Sequence, residues 1–211
     1  MPARRTPPPP PPKGAWSSPS TERNRGPILE VLKAWLPARG LVLEIAAGAG
    51  EHAMFMAAAL PGLTWQQTDM DAAYMVSIGA WRERAGLANL KPPLILDASD
   101  PAAWPVERAD AVVAINMVHI SPWRATKGLM AGADRVLPRG GVVCLYGPYF
   151  EDEAPAAPSN IAFDSSLQGR NPEWGIRRLE DVTALAGEHG LDLAASVAMP
   201  ANNLVVVFRK V

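Results

Sequence analysis

The chain has 211 residues, 48% of them apolar and 19% charged, with 20 Lys and Arg against 21 Asp and Glu. That length suits one compact domain with or without a tail, and the apolar content excludes global disorder. A formal charge of −1 supplies no general attraction to nucleic acid or anionic lipid, so no nucleic-acid partner is indicated. The charge is uneven: Arg4, Arg5, Lys13, Arg23 and Arg25 face only Glu22 within residues 1–26. Cys144 is the single cysteine and cannot form an internal disulfide, and no Cys/His cluster has ligand spacing, so a reducing, cytoplasmic setting without a metal is expected. No run approaches the length of a membrane span, and prolines stand where a signal peptide would be apolar, so no membrane partner is expected.

Pro7 to Pro12 lack amide donors and read as a solvated polyproline II spacer, within a disordered proline-rich tail over residues 1–20. A proline-binding partner for that tail is the alternative. The domain is expected over 21–211. Ile28, Val31, Leu32, Trp35 and Leu36 share one helical face, with Pro27 in the first turn and Pro37 as the stop. Apolar β-type runs then alternate with helical segments, the pattern of a parallel sheet covered on both faces. Strands are predicted at 41–46, 63–69, 93–97, 110–116, 141–147, 191–198 and 203–209. Helices are predicted at 51–60, 71–85, 100–104, 121–137 and near 178–189. Ser121-Pro122 reads as a cap and first-turn proline, and Asp71 as the cap of the helix after it. The connection at 199–203 is too short for a crossover helix, so the last two strands should pair antiparallel. The expected fold is an α/β, Rossmann-like three-layer sandwich whose seven-stranded, mostly parallel sheet contains one antiparallel strand.

The most informative segment is Leu41-Val42-Leu43-Glu44-Ile45-Ala46-Ala47-Gly48-Ala49-Gly50-Glu51-His52-Ala53. A strand runs into small residues and two glycines and then into a helix, so backbone can approach a ligand beside unpaired helix amides. Two readings stand. Gly48-x-Gly50-x-x-Ala53 matches the dinucleotide fingerprint, with Asp69 and Asp71 about 20 residues on, which would suit an NAD(P)-dependent oxidoreductase. Glu44 argues the other way, because a carboxylate repels pyrophosphate but favours a ligand carrying sulfonium and ammonium charges. Glu44 as an edge residue facing solvent is the bland alternative.

Motif by motif, residues 41–147 resemble the class I S-adenosylmethionine-dependent methyltransferases. The resemblance implies that Asp69, closing the second strand, holds the ribose hydroxyls, and that Asp97 in Leu94-Ile95-Leu96-Asp97-Ala98 holds the adenine amino group. Asp71 competes for the first role, and a plain turn aspartate is the alternative for Asp97. Ala46 stands where that family has its first glycine. A closer likeness spans 21–211. Glu22-Arg23-Asn24-Arg25, Glu44 through His52, Ile115-Asn116-Met117-Val118-His119-Ile120-Ser121-Pro122-Trp123, Tyr146-Gly147-Pro148, Pro158-Ser159-Asn160 and Met199-Pro200-Ala201-Asn202-Asn203-Leu204 look like the methyltransferase-like 26 family. The implied activity is methyl transfer from S-adenosylmethionine to an unidentified small molecule, and a cofactor-binding protein without transfer activity is a further alternative.

The resemblance implies a cofactor set of Asn24, Glu44, Ala46, Gly48, Gly50, His52, Asp69, Met70, Asp97, Ala98 and Asn116. His119, just past the fourth strand, has an ordinary pKa near neutrality and reads as a catalytic base, with packing beside Pro122 and Trp123 as the alternative. Residues 148–177 read as a long connection and substrate lid. Asn160 and Trp174 from it, with Tyr146, are the expected substrate contacts. Asn24 and Arg25 are expected near the methionine carboxylate. Trp35, Trp65, Trp81 and Trp104 read as packing residues.

Overall fold

The structure, a computed structural model, describes residues 10–211. Of the proline run only Pro10 to Pro12 fall within it, without regular structure; the rest of the run and any proline-binding partner for it lie outside the described residues. In chain order the elements are α1 (Pro19–Trp35), β1 (Gly40–Ile45), α2 (Glu51–Ala59), β2 (Leu63–Asp69), α3 (Ala72–Ala85), β3 (Leu94–Ile95), a 3-10 turn (Pro101–Ala103), β4 (Ala111–Ile115), α4 (Trp123–Val136), β5 (Val142–Gly147), β6 (Tyr149–Phe150), α5 (Pro158–Arg170), β7 (Arg177–Arg178), α6 (Leu179–Glu188), β8 (Leu191–Met199) and β9 (Asn203–Lys210).

The main sheet runs β3-β2-β1-β4-β5-β9-β8. Its first five strands pair in parallel, and β9 lies antiparallel to both β5 and β8. The predicted seven-stranded sheet with one antiparallel strand is therefore present. The central strands β1, β4, β5 and β9 are continuous apolar runs buried on both faces, and the period-two alternation sorts their residues between two cores. Val42, Val113, Cys144 and Val207 pack with Ile28 and Leu32 of α1 and Met56 of α2. Leu43, Val112, Val143 and Phe208 pack with Leu129 and Met130 of α4 and Val182 of α6. Trp65, Trp81 and Trp104 are buried, as expected of packing residues.

Four expectations are corrected. Helix α1 starts at Pro19, because the Ser18 side chain accepts from Ser20 N and Pro19 fits the first turn, so Pro27 sits inside the helix and removes one of its hydrogen bonds. The tail accordingly ends before residue 20: Trp16 N donates to Ser77 Oγ at 2.8 Å, and Trp81 Nε1 donates to Trp16 O at 2.9 Å. The cap of α4 is Pro122, and Ser121 Oγ is buried without a hydrogen-bond partner. The stretch 148–177 is no simple loop: it contains α5, and β6 pairs with β7 in parallel. Its proline at the first helical position was visible, but the partners that stabilise the helix come from distant segments.

The sheet's carboxyl edge is shaped by close approaches. A Cβ on Gly128 of α4 would fall well inside contact distance of the Ala98 carbonyl oxygen, so only glycine lets α4 lie against the turn after β3. Gly128→Ala is expected to lower stability by about 2–3 kcal/mol, as overpacking against backbone does, read as a shifted urea midpoint with unchanged slope.

Candidate functional site

A cavity of about 690 Å³ opens where β1, β2, β3 and β4 end, the crevice in which open α/β sheets bind ligands. Each strand delivers its terminal residues to it. After β1, Ala46 and Gly48 both take left-handed φ, 56° and 55°. Gly48 presents bare backbone, with nothing within 4 Å of where a Cβ would stand. Ala47 N donates to Thr68 O at 2.8 Å, stitching the turn to β2.

Asp69 closes β2 with both oxygens partly engaged. Oδ2 accepts from Gly48 N at 2.9 Å, and Oδ1 accepts from Asp71 N at 3.0 Å. Burial raises its pKa, and those amide bonds oppose the rise. Each carboxylate oxygen keeps a lone pair, so the group can accept from two adjacent hydroxyls. Asp71 caps α3, its Oδ1 accepting from Ala73 N at 2.8 Å, and it also lines the cavity. Asp97 accepts from Ser99 N and Ser99 Oγ on the same oxygen, at 2.8 and 2.7 Å, leaving its second oxygen available. The strand before it, β3, covers only Leu94–Ile95 of the predicted 93–97. Met70, Ala98 and Asn116 complete this side of the cavity. Asn116 is left-handed, with φ 58°.

His52 lines the opposite side. Burial, reinforced by the Arg25 charge, pushes its pKa down to about 4, so it is neutral at pH 7. With Nε2 protonated it donates to Asn24 Oδ1 at 2.8 Å. Asn24, which does not itself line the cavity, thus supports His52, and Tyr146 is buried away from the cavity. Arg25 turns away to cover the Phe55 ring, 4.8 Å from its centroid.

Other expected residues stand elsewhere. Glu44 is buried, which removes the solvent-facing alternative, and it does not line the cavity: its Oε2 accepts from Trp65 Nε1 at 2.6 Å. Gly50, with φ 90°, is required by packing, because a Cβ there would stand 2.9 Å from Ile78 Cα. His119 does not line the cavity. Its ring is buried edge-on to Phe163, at 5.7 Å, and burial with the Arg177 charge pushes its pKa down to about 4. The ring packs against Phe163 and beside Gly147, where a Cβ would stand 2.9 Å from His119 Nδ1, rather than beside the expected Pro122 and Trp123. Asn160 lines a separate cavity of about 240 Å³ and donates through Nδ2 to Asn202 O at 3.0 Å, tying α5 to the β8–β9 turn. Of the three expected substrate contacts, only Trp174 reaches the main cavity.

Sequence reasoning missed a wall. Trp16, Ser18 and Thr21 line the cavity beside Tyr74, although Trp16 had been assigned to the tail. An isolated tryptophan just after a proline run, followed by Ser-Ser-Pro, was the available signal.

The buried Glu44 carboxyl generates a pH signature. Burial pushes its pKa from an ordinary 4.5 up to about 7, against the opposing Trp65 bond. Between those values the folded state binds more protons than the unfolded state, so this group's contribution to stability falls as pH rises and levels off above about 7. His52 and His119, held neutral, act with the opposite sign at lower pH. The difference between variant and parent isolates Glu44. Glu44→Gln is expected to gain about 3 kcal/mol on the parent between pH 4.5 and pH 7, measured by urea unfolding across that range.

Three solved structures share this architecture. An O-methyltransferase family protein from Burkholderia thailandensis aligns with a TM-score of 0.77 at 14% identity, covering 90% of this chain and 57% of its own. Human N-acetylserotonin methyltransferase in complex with SAM aligns at 0.74 and 13% identity, covering 90% and 52%. An O-methyltransferase family 2 protein from Planctomyces limnophilus, in complex with apigenin, aligns at 0.75 and 17% identity, covering 91% and 60%. The likeness is one of fold, and this chain spans little more than half the length of those proteins. A family model matches residues 15–210, and the chain belongs to that family, described as protein of unknown function (DUF938).

Proposed function

We propose that this chain is a class I S-adenosylmethionine-dependent methyltransferase of the methyltransferase-like 26 type, acting in the cytoplasm on a small-molecule acceptor. The observation that carries the reading is Asp69, held by two backbone amides with its remaining lone pairs at the cavity. That arrangement matches a ribose diol, with Asp97 and Ala98 one strand farther along for the adenine edge. Gly48 and Ala46 admit the methionine portion against bare backbone. Met70, Asn116 and His52 form the rim, with Asn24 behind His52. Neighbours solved with SAM and with apigenin support the cofactor and the small-molecule acceptor.

The bound cofactor would supply an activated methyl carbon, leaving the protein to align the acceptor and exclude water. Trp174 supplies an apolar acceptor wall. His119 serves as a positioning residue, since its carbonyl accepts from Gly175 N at 3.1 Å and so fixes the loop bearing Trp174. The oxidoreductase alternative loses support from topology: the dinucleotide fold has strand order 3-2-1-4-5-6, whereas an antiparallel β9 separates β5 from β8 here.

Calorimetry should detect adenosylhomocysteine binding that weakens at least tenfold in Asp69→Ala. Asp69→Asn should fall nearly as far, because its amide NH₂ would face one of the two backbone N–H donors. Absence of binding by the parent at millimolar ligand would overturn the cofactor assignment. A labelled-methyl screen yielding no product from a protein that binds the ligand would leave a binding protein in place of an enzyme.

A further inference from the structure

Residues 14–18 lie outside the sheet-and-helix framework, yet their backbone is pinned. Trp16 N donates to Ser77 Oγ at 2.8 Å, Trp16 O accepts from Trp81 Nε1 at 2.9 Å, and Ser18 N donates to Glu51 Oε2 at 2.7 Å. The Trp16 ring meets Tyr74 edge-on at 5.0 Å but remains 51% exposed. Specific hydrogen bonds thus fix a tryptophan that contributes little to either core, at a position that lines the main cavity.

Ser77 links this segment to the glycine turn. Its fully buried hydroxyl accepts from Trp16 N and donates to Ala49 O at 2.8 Å. One oxygen therefore sets both the turn after β1 and the segment lying across it. Ordering such a segment costs conformational entropy, and a ligand beneath it adds contacts only while it stays closed. Closure and occupancy then favour each other by linkage.

We infer that residues 14–18 form a latch over the cavity and that Trp16 is the residue retaining the cofactor. This rests on the adenosylmethionine reading. Opening must break the bonds to Ser77, Trp81 and Glu51, so the latch controls how fast the spent cofactor leaves.

The test measures dissociation of labelled adenosylhomocysteine from the full chain, together with amide hydrogen exchange. Trp16→Ala and Ser77→Ala should each raise the dissociation rate at least tenfold, and Trp16→Phe should restore most of the loss. Ligand should slow exchange at the Trp16 and Ser18 amides. A change below twofold in both alanine variants, or exchange at those amides indifferent to ligand, would overturn the latch. Amides protected in the free protein, with no adenosylhomocysteine binding, would instead overturn the cofactor reading and the retention role with it. Exchange at open-chain rates in the free protein would remove the latch itself.

Discussion

The Asp69 carboxylate is the fixed point of the molecule's working end. By accepting from Gly48 N and Asp71 N it ties together two chain reversals that follow neighbouring strands, β1 and β2. A carboxylate accepting backbone amides forms charge-assisted hydrogen bonds, stronger than those between neutral partners. The glycine turn therefore cannot drift relative to the end of β2. Everything else around the cavity is placed relative to that pair, from the Ala47–Thr68 stitch to the first turn of α2.

The sheet presents these groups without taking part in recognition. Parallel pairing of β3, β2, β1 and β4 brings all four carboxyl ends to one edge, and helices on both faces leave that edge as the place where polar side chains meet solvent. Glu44 illustrates the division. It stands one residue before the end of β1, but its side chain points into the protein and is held by Trp65. In this position an acid is taken up by the protein interior, while Asp69 at the end of neighbouring β2 and Asp97 just past β3 line the cavity.

Features carried by local chemistry were legible in the sequence. The continuous apolar runs specified β1, β4, β5 and β9, Asp71 specified the start of α3, and the short Met199–Asn203 connection specified the antiparallel pairing of β8 with β9. What escaped depends on contacts between distant residues. Trp16 finds Ser77 and Trp81 more than 60 positions away. His119 is buried by Phe163 from a helix hidden in an apparent loop, and Asn160 is claimed by Asn202, 42 positions on. The chemistry of each side chain was readable, but the neighbour that would claim it was not.

Ala46 and Asn116, at the ends of adjacent strands, both hold left-handed backbone, which asparagine tolerates and alanine does not. Ala46 therefore carries roughly 1–2 kcal/mol of conformational strain, which the surrounding fold sustains before any ligand arrives. An incoming molecule therefore meets a crevice whose backbone is already bent to shape, and none of its binding energy goes into bending it.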